Sequence, residues 1–173
     1  MDLTAFFKDK TVKPSAKTGL LAEALRTGMV SPQSLLDFSR TAKDAVLGTC
    51  IEAMEYRTKN EPAAISSEML DFVISCLGNK APRVRWESAR VVGNVIQSFP
   101  EKIADATANL LPNTAHDGTV VRWSAAYALG KILEAKQPVN ESLLPAIENV
   151  MAQEEKNSIK KIYAAAIKKA RAK

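Results

Sequence analysis

Histidine is almost missing from this 173-residue chain: His116 is the only one, set in the polar stretch NTAHDGT. Sulfur is scarce as well, with Cys50 and Cys76 each inside an apolar helical pattern. A metal site needs more thiol or imidazole at close spacing, so none is expected. Both cysteines read as buried free thiols, which also removes a disulfide framework. No run approaches the roughly 20 apolar residues that a membrane-spanning helix needs. The opening MDLTAFFKDK mixes acids with bases and lacks a long apolar core, unlike a secretory signal. The cytoplasm is the expected location. Strand-like alternation between turn residues is missing throughout, as are a Gly-rich phosphate loop, HExxH and GxSxG. With His116 isolated in a loop, neither cysteine has a base to activate it. No catalytic residue and no cofactor are expected.

What is present is ordinary globular material, 46% apolar and 25% charged, enough for a single domain spanning residues 1–173. Its net charge of +5 is unevenly placed. Residues 156–173 hold Lys156, Lys160, Lys161, Lys168, Lys169, Arg171 and Lys173 and no acid, which leaves −2 on the rest of the chain. This basic end suits either solvent or a partner with an acidic surface.

The governing pattern is an internal repeat. VRWESARVVGNVI at 84–96 returns 37 residues later as VRWSAAYALGKIL at 121–133, with Val, Arg, Trp, Ala and Gly identical. A third copy, IKKIYAAAIKKAR, runs over 159–171 one residue out of step, and a degenerate one, VLGTCIEAMEYR, begins at Val46. Between the copies, other segments place apolar residues at helical spacing, such as Met69, Phe72, Val73, Cys76 and Leu77. Helix-start signals stand at Ser31-Pro32, Ser66, Pro82, Pro100, Asn140 and Asn157. The pattern predicts four helix pairs: first helices at 32–40, 66–78, 101–112 and 141–153, second helices at 43–58, 82–98, 119–135 and 158–171. A helix near 16–28 caps the stack, so residues 1–30 form the cap and 31–173 the repeats. One hairpin cannot cover its own apolar face, so neighbours must stack into a shared core.

DGTVVRWSAAYALGKIL resembles the second helix of a HEAT repeat: an Asp, then Val-Arg, small residues and Leu-Gly. The resemblance covers about residues 40–171 and is sharpest in two copies. It implies an all-α, right-handed superhelix of about four HEAT-like hairpins acting as a protein-binding scaffold. It also implies that Asp117 and Arg122 belong to a ladder of bonds within and between repeats. The neighbouring copies depart from that pattern, with Lys80 and Lys160 where the Asp and the Arg should be.

On a helical wheel Val84, Ser88, Ala89, Val91, Val92, Val95 and Ile96 fill one arc, matched by Val121, Ala125, Ala126, Ala128, Leu129, Ile132 and Leu133. These arcs are the expected core. Trp86, Arg90 and Gln97 lie opposite, with Trp123, Tyr127 and Glu134 on the next copy and Lys161 and Lys168 on the third. The resemblance puts second helices on the concave side, so these eight residues are the expected partner-binding stripe, of a type that dominates interaction hot spots. Packing of each Trp between repeats, with Gly93 and Gly130 making room, is the structural alternative. The functional alternative is a HEAT-like DNA-binding protein or alkylated-base glycosylase. It would cradle a phosphate backbone with Trp86, Trp123, Tyr127, Arg90 and Lys161, and use Glu52 or Glu55 as the acid. Oligomeric state is not legible.

Overall fold

Serine and proline open helices where the sequence puts them. Ser31 accepts the Ser34 amide at 3.0 Å and Ser66 the Met69 amide at 3.2 Å, each satisfying a donor that the first helical turn leaves free. Pro14, Pro32 and Pro82 occupy first helical positions, where a missing N–H costs nothing. In this computed structural model, which describes residues 1–172, ten α-helices result: α1 Leu3–Lys8, α2 Pro14–Arg26, α3 Pro32–Ser39, α4 Asp44–Asn60, α5 Ser67–Ser75, α6 Pro82–Val95, α7 Ile103–Leu110, α8 Thr119–Glu134, α9 Asn140–Gln153 and α10 Asn157–Arg171. Lys173 of the basic end lies outside the described residues. Among those residues there is no strand.

Three of the expected helices divide. Residues 66–78, 82–98 and 101–112 each hold a shorter α-helix joined to a tighter 3₁₀ turn, at Cys76–Gly78, Ile96–Ser98 and Pro100–Lys102. Pro112 lacks the N–H that would continue α7, and the chain runs on as a 3₁₀ segment over Leu111–Ala115. Gly28, at φ 75°, turns the chain out of α2 in the left-handed region.

The second helices α4, α6, α8 and α10 lie side by side in one row, and α2 joins that row beside α4. The helices α3, α5, α7 and α9 form the other layer, each packed on its own second helix. Ahead of α3, α1 and α2 make a short hairpin of their own. Lys17 fastens it, donating Nζ to the carbonyls of Phe6, Phe7 and Asp9 at 3.0, 2.8 and 2.9 Å. All fourteen residues of the two expected core arcs are buried, and they join Leu35, Leu36, Ile51, Leu70 and Ile74 in the core between the layers. Each large aliphatic side chain so buried contributes about 1.5–3 kcal/mol. Cys50 and Cys76 are buried free thiols, pushed up to about 11 by loss of solvent.

Candidate partner-binding face

Opposite the buried arcs, the row of second helices carries a polar and aromatic seam. At its N-terminal end Thr18 of α2 donates to Glu52 of α4 at 2.6 Å, and Arg83 of α6 reaches the same carboxylate at 2.7 Å. Gly48 leaves the space Arg83 crosses, since a Cβ there would stand 3.2 Å from the Arg83 Cδ. In the middle, Arg90 spans two carboxylates, Glu55 of α4 at 2.8 Å and Glu87 of its own helix at 3.2 Å. The Trp86 indole N–H donates to the other Glu87 oxygen at 2.7 Å. Burial pushes the Glu87 carboxyl above the usual carboxylate range despite Trp86 and Arg90, and Glu52 and Glu55 add to the rise.

Between α6 and α8 the contact is aromatic. The Tyr127 hydroxyl bonds the Asn94 side-chain amide at 2.8 Å, and its ring fills the space above Gly93. Trp123 stacks on Tyr127, with centroids 6.1 Å apart and planes at 5°. Gln97 reaches across to the Lys131 carbonyl at 3.1 Å. Glu134 joins α8 to α10 by accepting from Lys169 at 2.9 Å. Burial raises its pKa, but Lys169 and Lys131 outweigh that and hold it below the ordinary value.

The eight stripe residues therefore divide by role. Arg90, Gln97, Tyr127 and Glu134 staple neighbouring helices, and Trp86 is half-buried. Trp123 stays open, 40% exposed. Lys161 shares a groove of about 350 Å³ with Tyr127, Gly130 and Glu134. Lys168 does not join them: it lies at the C-terminal end surface near Met151, Ile167 and Arg171, and Lys169 makes the contact to Glu134 instead. The third copy is one residue out of step, so its wheel positions do not carry over one for one. Gly130 does make room for close helix approach, its would-be Cβ lying 3.3 Å from the Ala166 Cβ, whereas Gly93 accommodates Tyr127 and not a tryptophan.

The same face holds residues the sequence reading passed over. Val120, 52% exposed, precedes Trp123 by three positions, and Tyr56, 46% exposed, follows Glu52 by four, so helical spacing would have found both. Arg83, Tyr56, Glu52 and Thr18 line a cleft of about 690 Å³ at the N-terminal end of the row. Glu87 left no such signal, because only the packing of α4 against α6 buries it.

The ladder runs through the loops, and its partners differ from the expected ones. Arg122 donates to the backbone carbonyls of His116 and Asp117 at 2.9 and 3.0 Å. The carboxylate that meets it is Glu154 of the next repeat, at 2.9 Å, while Asp117 contributes its carbonyl only. Arg85 repeats the arrangement with the Asn79 carbonyl and the Asn113 side chain. The DNA cradle meets a different obstacle. Arg90 is neutralised by Glu55 and Glu87, and Glu52 by Arg83, so the seam from its N-terminal end to its middle sets three carboxylates against these two guanidinium groups. Duplex binding draws on unpaired cations along a track.

Residues 82–132 match the HEAT-like repeat family. No curated protein matches the chain in sequence. Among solved structures it is similar to an engineered protein, with a TM-score of 0.76 at 14% identity over 91% of this chain and 71% of that one. A designed armadillo repeat protein in complex with the peptide (KR)4 gives 0.73 at 17% identity, over 89% of this chain and 69% of the other. A second designed armadillo repeat protein gives 0.69 at 16% identity, over 91% and 74%. The repeated VRW helices, their side-by-side row and these likenesses together make the chain an α-solenoid of the HEAT and armadillo repeat type.

Proposed function

We propose that the chain is a binding scaffold whose second-helix face takes an extended segment of a partner protein. The observation that carries this is Trp123: a large indole, open to solvent and backed flat by Tyr127, at the same repeat position as Trp86. Exposed aromatic surface of this kind costs solubility unless it is used, and Trp and Tyr concentrate binding energy where they are used. The cleft beside Tyr56 and the groove beside Lys161 lie on either side of this aromatic ridge, giving a segment room to pass. The designed relative with (KR)4 is a scaffold of similar fold whose bound partner is a peptide. Lys161 favours an acidic residue of the partner at the α10 end.

Trp123→Ala tests the reading. Partner recovery in affinity purification should fall by the equivalent of about 2 kcal/mol or more, as at an interaction hot spot. Stability, read by thermal melting, should change by less than about 1 kcal/mol, because the indole leaves no buried cavity. Unchanged recovery, or a large drop in melting temperature, would make the indole a packing element and overturn the reading.

A further inference from the structure

Two buried carboxylates on neighbouring second helices depend on one arginine. Glu55 of α4 and Glu87 of α6 are 2% and 3% exposed, and Arg90 donates to both. The division is unequal, 2.8 Å to Glu55 Oε1 against 3.2 Å to Glu87 Oε2. The other Glu87 oxygen accepts the Trp86 indole N–H at 2.7 Å, and Glu55 Oε2 is buried with no donor. An ionised carboxylate at this depth needs a cation and donors for its lone pairs. Glu154 shows what that takes: at 7% exposed it has Arg122 on both oxygens and the Lys156 amide besides. Glu87 has only a share of one guanidinium.

The surrounding groups do not supply what is missing. From α4, Glu52 adds a second negative charge, and Arg83 of α6 is committed to it at 2.7 Å. From α8, Tyr127 bonds Asn94, and Glu134 is a further acid. Lys131 of α8 lies over the Tyr127 ring and bonds Glu134 at 3.4 Å; its side chain is 36% exposed, so water screens it. The helix α5, on the other side of α6, keeps Glu68 and Asp71 at the surface. Loss of solvent, with Glu52 and Glu55, thus pushes the Glu87 carboxyl above the ordinary carboxylate value against the pull of Trp86 and Arg90.

We propose that the seam between α4 and α6 is a proton-operated latch with Glu87 as its moving part. With a proton on Glu87, Glu55 has Arg90 to itself and Glu52 has Arg83, so each remaining carboxylate of the seam owns one guanidinium. When the proton leaves, Glu87 and Glu55 repel across a shared cation. Glu87 then turns towards solvent and releases the Trp86 indole that it holds. The latch is independent of what the second-helix face binds. Because the folded chain holds this proton more tightly than the unfolded one, its contribution to stability is complete below the ordinary carboxylate value. It is lost as pH rises through the raised one.

The test uses a Trp123→Phe chain, in which Trp86 is the only indole, alone and with Glu87→Gln, an uncharged side chain of the same shape. From about pH 5 to about pH 8, acrylamide quenching of Trp86 should rise in the first and stay level in the second. In urea unfolding, the ratio of their unfolding constants should change by at least about threefold over the same range, the Glu87→Gln chain gaining. Glu134 and Glu154, held below the ordinary value, act alike in both chains and cancel. Glu55→Gln gives Arg90 to Glu87 alone, so it should move the Trp86 transition to lower pH; it also serves if Glu87→Gln folds poorly. Parallel pH profiles with and without Glu87→Gln, or a transition that Glu55→Gln leaves in place, overturn the proposal. A stability ratio that changes while Trp86 quenching stays level would keep the titration but remove the release, and overturns the latch as well.

Discussion

Gly93 and Gly48 are both buried in second helices, yet they answer to different neighbours. A Cβ on Gly93 would stand 2.4 Å from Cε1 of Tyr127 and 3.2 Å from the Ala128 Cα, a stiff ring and a backbone atom that cannot retreat cheaply. Gly93→Ala should therefore displace Tyr127, break its bond to Asn94 and cost about 1–3 kcal/mol in urea unfolding. At Gly48 the nearest atoms are the Cδ and Cγ of Arg83, a flexible stem that can shift. Gly48→Ala should be neutral or stabilising, because alanine gains up to about 1 kcal/mol of helix propensity. Equal losses for the two would refute the distinction. The repeat made Gly93 and Gly130 stand out as a pair, but it could not show that one receives a ring and the other a helix. That depends on which side chain the adjacent helix presents.

At the scale of elements, the loops that join α5 to α6 and α7 to α8 are each fastened by an arginine. Arg122 binds two carbonyls of its own loop and the nearly buried Glu154 of the next repeat. Burial pushes Glu154 up, but Arg122 and the Lys156 and Glu155 amides outweigh it and hold its pKa below the ordinary carboxylate value. Arg122→Ala would leave that carboxylate without its cation, so a loss of about 3–5 kcal/mol is expected in chemical unfolding. Asp117→Ala keeps the carbonyl Arg122 uses and should cost under about 0.5 kcal/mol, as an exposed surface change does. Comparable losses would show that the Asp117 side chain, not its backbone, holds the loop. The motif spacing identified the residue pair. It did not identify the atoms, because a carbonyl and a carboxylate of one residue cannot be told apart in a sequence.

For the whole molecule, the extensive packing within the row runs between adjacent second helices, so stability is a chain of adjacent couplings. The helices α6 and α8 are flanked on both sides, whereas α2 and α10 end the row. Amide hydrogen exchange should show protection highest in α6 and α8 and lower in α2 and α10. Uniform protection across all ten helices would mean one all-or-none unit instead. The seam from Thr18 to Lys169 runs across the same couplings, which is why half of the expected binding stripe is occupied in joining helices.

The sequence by itself determined the helices, their pairing, the aliphatic arcs and the equivalence of Trp86 with Trp123. These follow from local periodicity, capping residues and repetition, all of which are written within a few turns of chain. Only the tertiary structure decided that Trp123 is open while Trp86 leans on Glu87, that Lys168 leaves the face to Lys161, and that Glu55 and Glu87 share Arg90. Those outcomes depend on the distance and rotation between neighbouring helices. Two residues some 35 positions apart meet or miss by a shift of one residue on a helix, and a wheel drawn for one helix contains no term for its neighbour.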